Sequence, residues 1–128
     1  MVMGPTMDHM IIRDLLTNTI EASIILDTDN AFRKKMEKTL EKLTPIRTGS
    51  DGRILEWAEP YQQAEPGHRH VSHLIGLHPV DLISAATPDL LTGARKGLDA
   101  RLAKGGGGTG WSRAWMICFF ARLQDGDA

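Results

Sequence analysis

Apolar positions in the first third of the chain recur at helical spacing. Met10, Ile11, Leu15, Ile20, Ile24 and Leu26 follow this period and predict a long helix over residues 7 to 26. Thr6 offers a capping hydroxyl, and Asp8 and His9 stand in the first turn. "LDTDN" breaks the pattern. Asp29 or Asn30 can then cap "AFRKKMEKTLEKL", in which Phe32, Met36, Leu40 and Leu43 form one apolar stripe opposite a face of Lys and Glu. Pro45 is expected to stop this helix. Two helices joined so closely predict an antiparallel αα-hairpin, the unit of helical arrays and barrels.

The pattern then changes. Ser50-Asp51-Gly52 is a turn signal, and Ile46 with Ile54-Leu55 on either side predicts a short, irregular β-hairpin. "AEPYQQAEPGH" holds two Glu-Pro pairs and no period, so it reads as a loop; long ordered loops between helices tend to carry function. A short helix is expected from near Val71 to just before Pro79. Thr87-Pro88-Asp89 predicts a further helix start through hydroxyl, proline and acid in order. That helix runs through "DLLTGARKGLDARLAK" despite two glycines, each costing it about 1 kcal/mol. Gly105 to Gly108 end it. "TGWSRAWMICFFARL" predicts a last helix, apolar nearly all round and therefore buried. The elements together predict a mostly α chain.

Composition narrows the possibilities. The 128 residues suffice for one small domain with a core, and 41% are hydrophobic, as in ordinary globular chains. With 15 basic and 16 acidic residues there is no nucleic-acid footprint. No apolar run approaches the roughly 20 residues of a membrane span. "MVMGPTMDHM" has no charged n-region and no long apolar h-region, so it does not read as a signal peptide. The single cysteine, Cys118, lies in an apolar run and reads as a buried thiol without an internal disulfide partner. Both ends read as cut. The chain opens on turn-like Gly4-Pro5-Thr6 and closes on "ARLQDGDA" without a further helix, which predicts a piece of something larger.

Candidate chemistry concentrates in "EPGHRHVSHLIGLHPVDLIS", where four of the five histidines fall within eleven positions. Three readings stand side by side. His68, His70 and His73 could bind a metal with Glu56 or Glu59, although no ligand motif such as HExxH is present. They could satisfy backbone groups at a buried helix start. Or His68, His70 and Arg69 could form a polar pocket wall, presenting fixed donors suited to sugar hydroxyls or a carboxylate. Glu56-Trp57 pairs a carboxylate with an indole, a combination that can hold sugar hydroxyls and cover an apolar sugar face; a core Trp beside a surface Glu is the plainer alternative. "GGGGTGWS" has the glycine and serine spacing of a phosphate loop. Trp111 occupies the lysine position and no strand precedes it, which excludes nucleotide binding. It reads instead as a helix entry, with Trp111 and Trp115 packed four residues apart. Ser72 beside His70 and His73 lacks a nucleophile-elbow motif.

Three blocks carry a resemblance: "GPTMDHMIIRDLLTNTIEA", "GRILEWAEPYQQAEPGHRHVSHLIGLHP" and "GGTGWSRAWMICFFARLQDGD". In this order and spacing, over residues 4 to 127, the chain resembles glycoside hydrolase family 95, the α-L-fucosidases, which include some α-L-galactosidases. The resemblance implies a catalytic (α/α)6 barrel of which this chain would be a section, truncated at both ends. It implies inverting hydrolysis of terminal α-linked fucose, typically 1,2-linked to galactose, from a fucosylated oligosaccharide or glycan, with no metal or organic cofactor. In that family a glutamic acid protonates the leaving oxygen, and an asparagine pair supported by an aspartate activates water on the other face, the geometry of inversion. The glutamate belongs to a Ser-Pro-Glu segment expected before "GPTMD", the asparagines lie earlier, and the aspartate belongs to a "QIDGNFG" segment expected after "GDGD"; none of the three falls in this chain. A sugar-contacting histidine of the family matches His68 or His70, and Glu56 and Trp57 match its "EW". Lys104-Gly105-Gly106 replaces the family's frequent Arg-Gly-Asp, which puts the cap of the last helix in question. A helical sugar-binding or scaffolding module without catalysis is the alternative from another class.

Overall fold

The computed structural model describes residues 3–128. Four helices carry the chain: α1 (Thr6–Ile25), α2 (Asn30–Leu40), α3 (Pro88–Leu102) and α4 (Gly110–Arg122), with a 3-10 turn at Ser72–Leu74 before α3. Among the described residues there is no β-strand. The expected β-hairpin is reduced to one antiparallel bridge between Thr48 and Ile54. Gly49 donates to the Arg53 carbonyl at 2.8 Å and Leu55 to the Arg47 carbonyl at 2.9 Å, so the chain reverses without extending into paired strands. The fold is mostly α, as the periodicity predicts.

Helix α1 begins on Pro5, whose extended conformation precedes the first helical residue. Thr6 is therefore inside the helix, not its cap. Its hydroxyl donates to the Leu55 carbonyl at 2.5 Å and its N–H to the Glu56 carbonyl at 3.0 Å. Asp27 and Asp29 adopt positive φ of 47° and 53°, the left-handed conformation that short polar side chains tolerate, and they make the break before α2. The hairpin closes where Arg13 Nη2 donates to the Leu43 carbonyl at 3.1 Å. Helix α2 stops at Leu40, before Pro45 is reached, and of its expected stripe only Met36 is buried. Phe32 lies exposed, because none of the described residues covers that end of α2.

One core joins the remaining elements. Met10 from α1, Ile54 from the bridge, Val71, Leu74 and Leu77 around the 3-10 turn, Ile83, Ala94 and Leu98 from α3, and Met116 and Phe119 from α4 are all buried in one cluster. The expected short helix before Pro79 shrinks to the 3-10 turn and the turns that follow it. Helix α3 starts at Pro88 as expected, but the Thr87 hydroxyl does not cap it; it accepts from the Ser84 N–H at 3.0 Å and donates to the Ser84 carbonyl at 3.1 Å. The glycines of α3 face inward: a Cβ on Gly93 would stand 3.1 Å from the Gly52 carbonyl oxygen, so the missing side chain lets the bridge pack against the helix.

Helix α4 opens with a reciprocal cap. Thr109 Oγ1 accepts from the Ser112 N–H at 3.2 Å, and Ser112 Oγ accepts from the Thr109 N–H at 3.2 Å. The cap of α4 is thus present without the family's Arg-Gly-Asp. The expectation that α4 is buried all round is corrected. Met116, Phe119 and Phe120 face the core, whereas Trp111 and Ile117 face outward. Several apolar side chains of α1 also face outward, among them Ile11, Ile12, Leu15, Ile24 and Ile25. No described helix is long and apolar enough to cross a membrane.

Candidate functional site

Two separate hollows gather the chemistry-bearing side chains, and the C-terminal end of α3 organises both. Arg101, in the last turn of α3, is only 5% exposed. Its Nη2 donates to Glu56 Oε2 at 3.2 Å and its Nη1 to the Glu65 backbone carbonyl at 3.3 Å. One guanidinium therefore fixes both the carboxylate that follows the bridge and the loop that leads to the histidines. A planar fork with several donors suits this double task in a way that an ammonium does not. The loop docks on the same helix end by close backbone approach. A Cβ on Gly67 would fall 2.0 Å from the Lys104 carbonyl oxygen, so only glycine fits there.

His73 is buried beside this pair. Its Nδ1 stands 3.9 Å from Glu56 Oε2, too far for a hydrogen bond, and has no partner among the described residues. Burial, then the positive charges of Arg101 and Arg53, lower its pKa from 6.5 to about 3. The imidazole is neutral near pH 7.

Glu56, Trp57, His73 and Arg101 line one cleft of about 390 Å³. Arg69 and His70 line a different groove of about 240 Å³, whose other wall is Trp111 and Trp115 at the start of α4. His68 lines neither. Its Nδ1 accepts the His70 N–H at 3.1 Å, and its ring meets that of His70 edge to face at 4.9 Å, so it braces the turn that presents His70. His78 packs edge to face on Trp115 at 5.5 Å. The five sequence-derived candidates are therefore divided: Glu56 and Trp57 share one hollow, Arg69 and His70 the other, and His68 supports the second. Among the described residues no group of three His, Cys, Asp or Glu side chains is placed to hold a metal ion, and His73 is turned away toward Glu56 and Arg101.

Sequence reasoning passed over Arg101 and left Trp111 as a packing residue. Arg101 sits in "DARLAK", where a basic residue among alternating charges reads as a solvated helix face. Its partner is 45 residues earlier, and no local pattern links them. Trp111 did carry a signal, the "TGWS" start of an otherwise apolar helix, but its packing with Trp115 was the plainer inference. In the structure it is 76% exposed at the groove.

A sequence model of the Glycosyl hydrolase family 95 catalytic domain matches residues 1–128. The chain belongs to glycosyl hydrolase family 95. The family is that of the resemblance carried by the histidine and "TGWS" blocks. Alpha-L-fucosidase 2 of Arabidopsis thaliana is 39% identical to this family 95 chain over 125 residues, which cover 95% of the chain and 14% of that protein. Probable alpha-fucosidase A of Aspergillus oryzae is 28% identical over 133 residues, covering 95% of the chain and 18% of the relative. Its namesake in Aspergillus niger is 30% identical over 104 residues, 77% of the chain and 13% of the relative. The chain thus spans less than a fifth of the length of these relatives. A few helices and no closed barrel are what a stretch of that size from an α/α barrel family holds.

Proposed function

We propose that this chain is part of the catalytic domain of an inverting α-L-fucosidase that releases terminal α-linked fucose from glycans, and that it supplies wall of the sugar pocket. The observation that carries the reading is the groove in which Arg69 and His70 face the exposed Trp111 and its neighbour Trp115. Fucose is a small neutral sugar. It needs directional hydrogen bonds to its hydroxyls and a flat apolar surface against its methyl-bearing side. Arg69 and His70 supply the donors, and Trp111 supplies the surface. His70 is the contacting histidine in this reading and His68 its brace. The proton donor and the water-activating groups belong to other parts of the polypeptide, so these 128 residues alone do not hydrolyse fucosides.

The outward apolar faces of α1 and α4 support the same reading, since a section of a ring leaves uncovered the sides its neighbours would pack on. The isolated 128 residues are expected to bind a hydrophobic dye and to melt without a cooperative transition.

The test compares the isolated chain with the full-length polypeptide that carries it. The longer protein is expected to release fucose with inverted anomeric configuration, read by NMR, and His70→Ala is expected to raise its KM. Fucoside cleavage by the 128 residues alone, or an unchanged KM in the His70 variant, would overturn the proposal. A non-catalytic sugar-binding module would instead show saturable fucose binding by the isolated chain, followed by tryptophan fluorescence.

A further inference from the structure

We propose that the lysine-bearing side of α2 is an interaction surface for a carboxylate-bearing polysaccharide. Residues 33–42 hold five basic side chains against two acidic ones, in a chain whose overall net charge is −1. The balanced total conceals this patch. Lys34, Lys35 and Lys38 on α2 and Lys42 in the turn after it are all exposed, and none of them is in an ion pair among the described residues. Steps of three and four residues place Lys35, Lys38 and Lys42 in one row, about 5–6 Å apart at their Cβ atoms, with Lys34 one turn before Lys38. Phe32 stands three positions before Lys35, at the head of the row, with 57% of its surface exposed. No residue of α2 lines the Arg69–His70 groove.

Helix stability does not explain the row. The helix dipole favours a cation in the last turn, which accounts for Lys38. It does not account for Lys34 and Lys35 in mid-helix, where the dipole has little effect. Like charges at i and i+4, as in Lys34 and Lys38, weaken a helix slightly. An anion laid against the row relieves that repulsion and leaves the buried face of α2, marked by Met36, undisturbed.

The surroundings choose the partner. Glu37 and Glu41 border the row on one side, with Glu37 drawn to Arg33 at 3.9 Å. They oppose a dense polyanion such as nucleic acid, whose binding draws on many phosphate contacts at once. Asp27 and Asp29 lie five and three residues before Phe32, and their charge opposes entry of that ring into an anionic bilayer. A peptide adding as a strand needs a sheet edge, which a helix does not offer. A polysaccharide with a carboxylate on its sugar units meets each condition. Its charges are spaced along the chain, its carboxylates accept from the ammonium groups, and the Phe32 ring takes the C–H face of a sugar.

The inference rests on the fucosidase reading only for the choice of a polysaccharide as carrier of the charge, and its test separates the two. The full-length polypeptide is titrated by calorimetry with an oligogalacturonate, with a neutral glucan of equal length and with poly-glutamate. Only the oligogalacturonate is expected to bind, and more weakly as salt rises, because exposed charges act over about 8 Å at physiological ionic strength. The variant carrying Lys35→Gln, Lys38→Gln and Lys42→Gln is expected to bind it about tenfold more weakly, the product of three modest exposed contacts. The same three positions changed to Arg should restore binding. Lys and Gln have similar helix propensities and the sites are exposed, so melting temperature and hydrolysis of a small aryl fucoside should stay unchanged. Phe32→Ala is an independent variant, expected to weaken binding about threefold without altering the salt dependence. Absence of oligogalacturonate binding, affinity unchanged in the Gln variant, or equal binding of the neutral glucan would overturn the surface even if fucosides were still cleaved. Equal binding of poly-glutamate would overturn the saccharide partner in favour of an acidic protein. Oligogalacturonate binding without fucoside hydrolysis would uphold the surface and remove the fucosidase reading.

Discussion

Arg101 Nη2 and Glu56 Oε2 stand 3.2 Å apart although 45 residues separate them in the chain. The contact ties the end of α3 to the segment after the bridge, and the second nitrogen of the same guanidinium ties it to the histidine loop. Removing one member of a buried ion pair leaves the other without compensation, at about 3–5 kcal/mol. Glu56 keeps 22% of its side chain open, which places Arg101→Met near the lower end of that range. Urea denaturation of the full-length polypeptide should show this loss. A double variant with Glu56→Leu should recover part of it, since no lone buried charge then remains.

The neutral His73 sets an acid limit on stability. Its folded pKa of about 3 lies below the 6.5 of an exposed imidazole, so over that interval the unfolded chain holds the extra proton. The stabilisation is complete above pH 6.5 and is lost as pH falls toward 3, with a slope of at most about 1.4 kcal/mol per pH unit. Denaturant midpoints measured from pH 7 down to pH 4 should fall more steeply in the parent than in His73→Asn, which has no proton to take up. Parallel curves would contradict the assignment.

Gly67→Ala introduces a Cβ at 2.0 Å from the Lys104 carbonyl oxygen, a backbone atom that cannot swing aside. The loop must lift from the end of α3, at a cost of about 1–3 kcal/mol. The helices do not depend on this contact. Far-UV circular dichroism is therefore expected to stay constant while fucose affinity falls, because Arg69 and His70 lie just beyond the displaced residue.

Trp111 separates packing from recognition. With 76% of its surface exposed it contributes little to the core, and Trp111→Ala should change stability by no more than about 0.5 kcal/mol. Loss of an aromatic face against a sugar should weaken fucose binding about threefold to tenfold. A large drop in melting temperature would return Trp111 to the structural role suggested by its spacing from Trp115.

The elements were legible where their signals are local. The left-handed aspartates between α1 and α2, the Thr87-Pro88 start and the Thr109–Ser112 cap all act within a few residues, and each boundary they mark lies close to its expected place. Burial direction was not legible. Helix α1 carries apolar residues on several sides, and periodicity cannot say which side this chain covers; Met10 is buried while Leu15 faces out. The β-hairpin failed because a turn and a few β-formers make a bridge only as long as the partners that pack on it, here one helix face opened by Gly93. The histidine block was found as a block, but its division was invisible. That division depends on Arg101, whose reach to Glu56 and the Glu65 carbonyl is a tertiary fact.

The outward rows of α1 invert the usual meaning of a surface position. Ile11, Ile12 and Leu15 are exposed to solvent here, so a polar replacement would help this stretch remain dispersed on its own. In the closed ring proposed above the same replacement would put a polar group into a seam between helices. On that proposal, a library screened for solubility on these 128 residues would select against assembly of the ring.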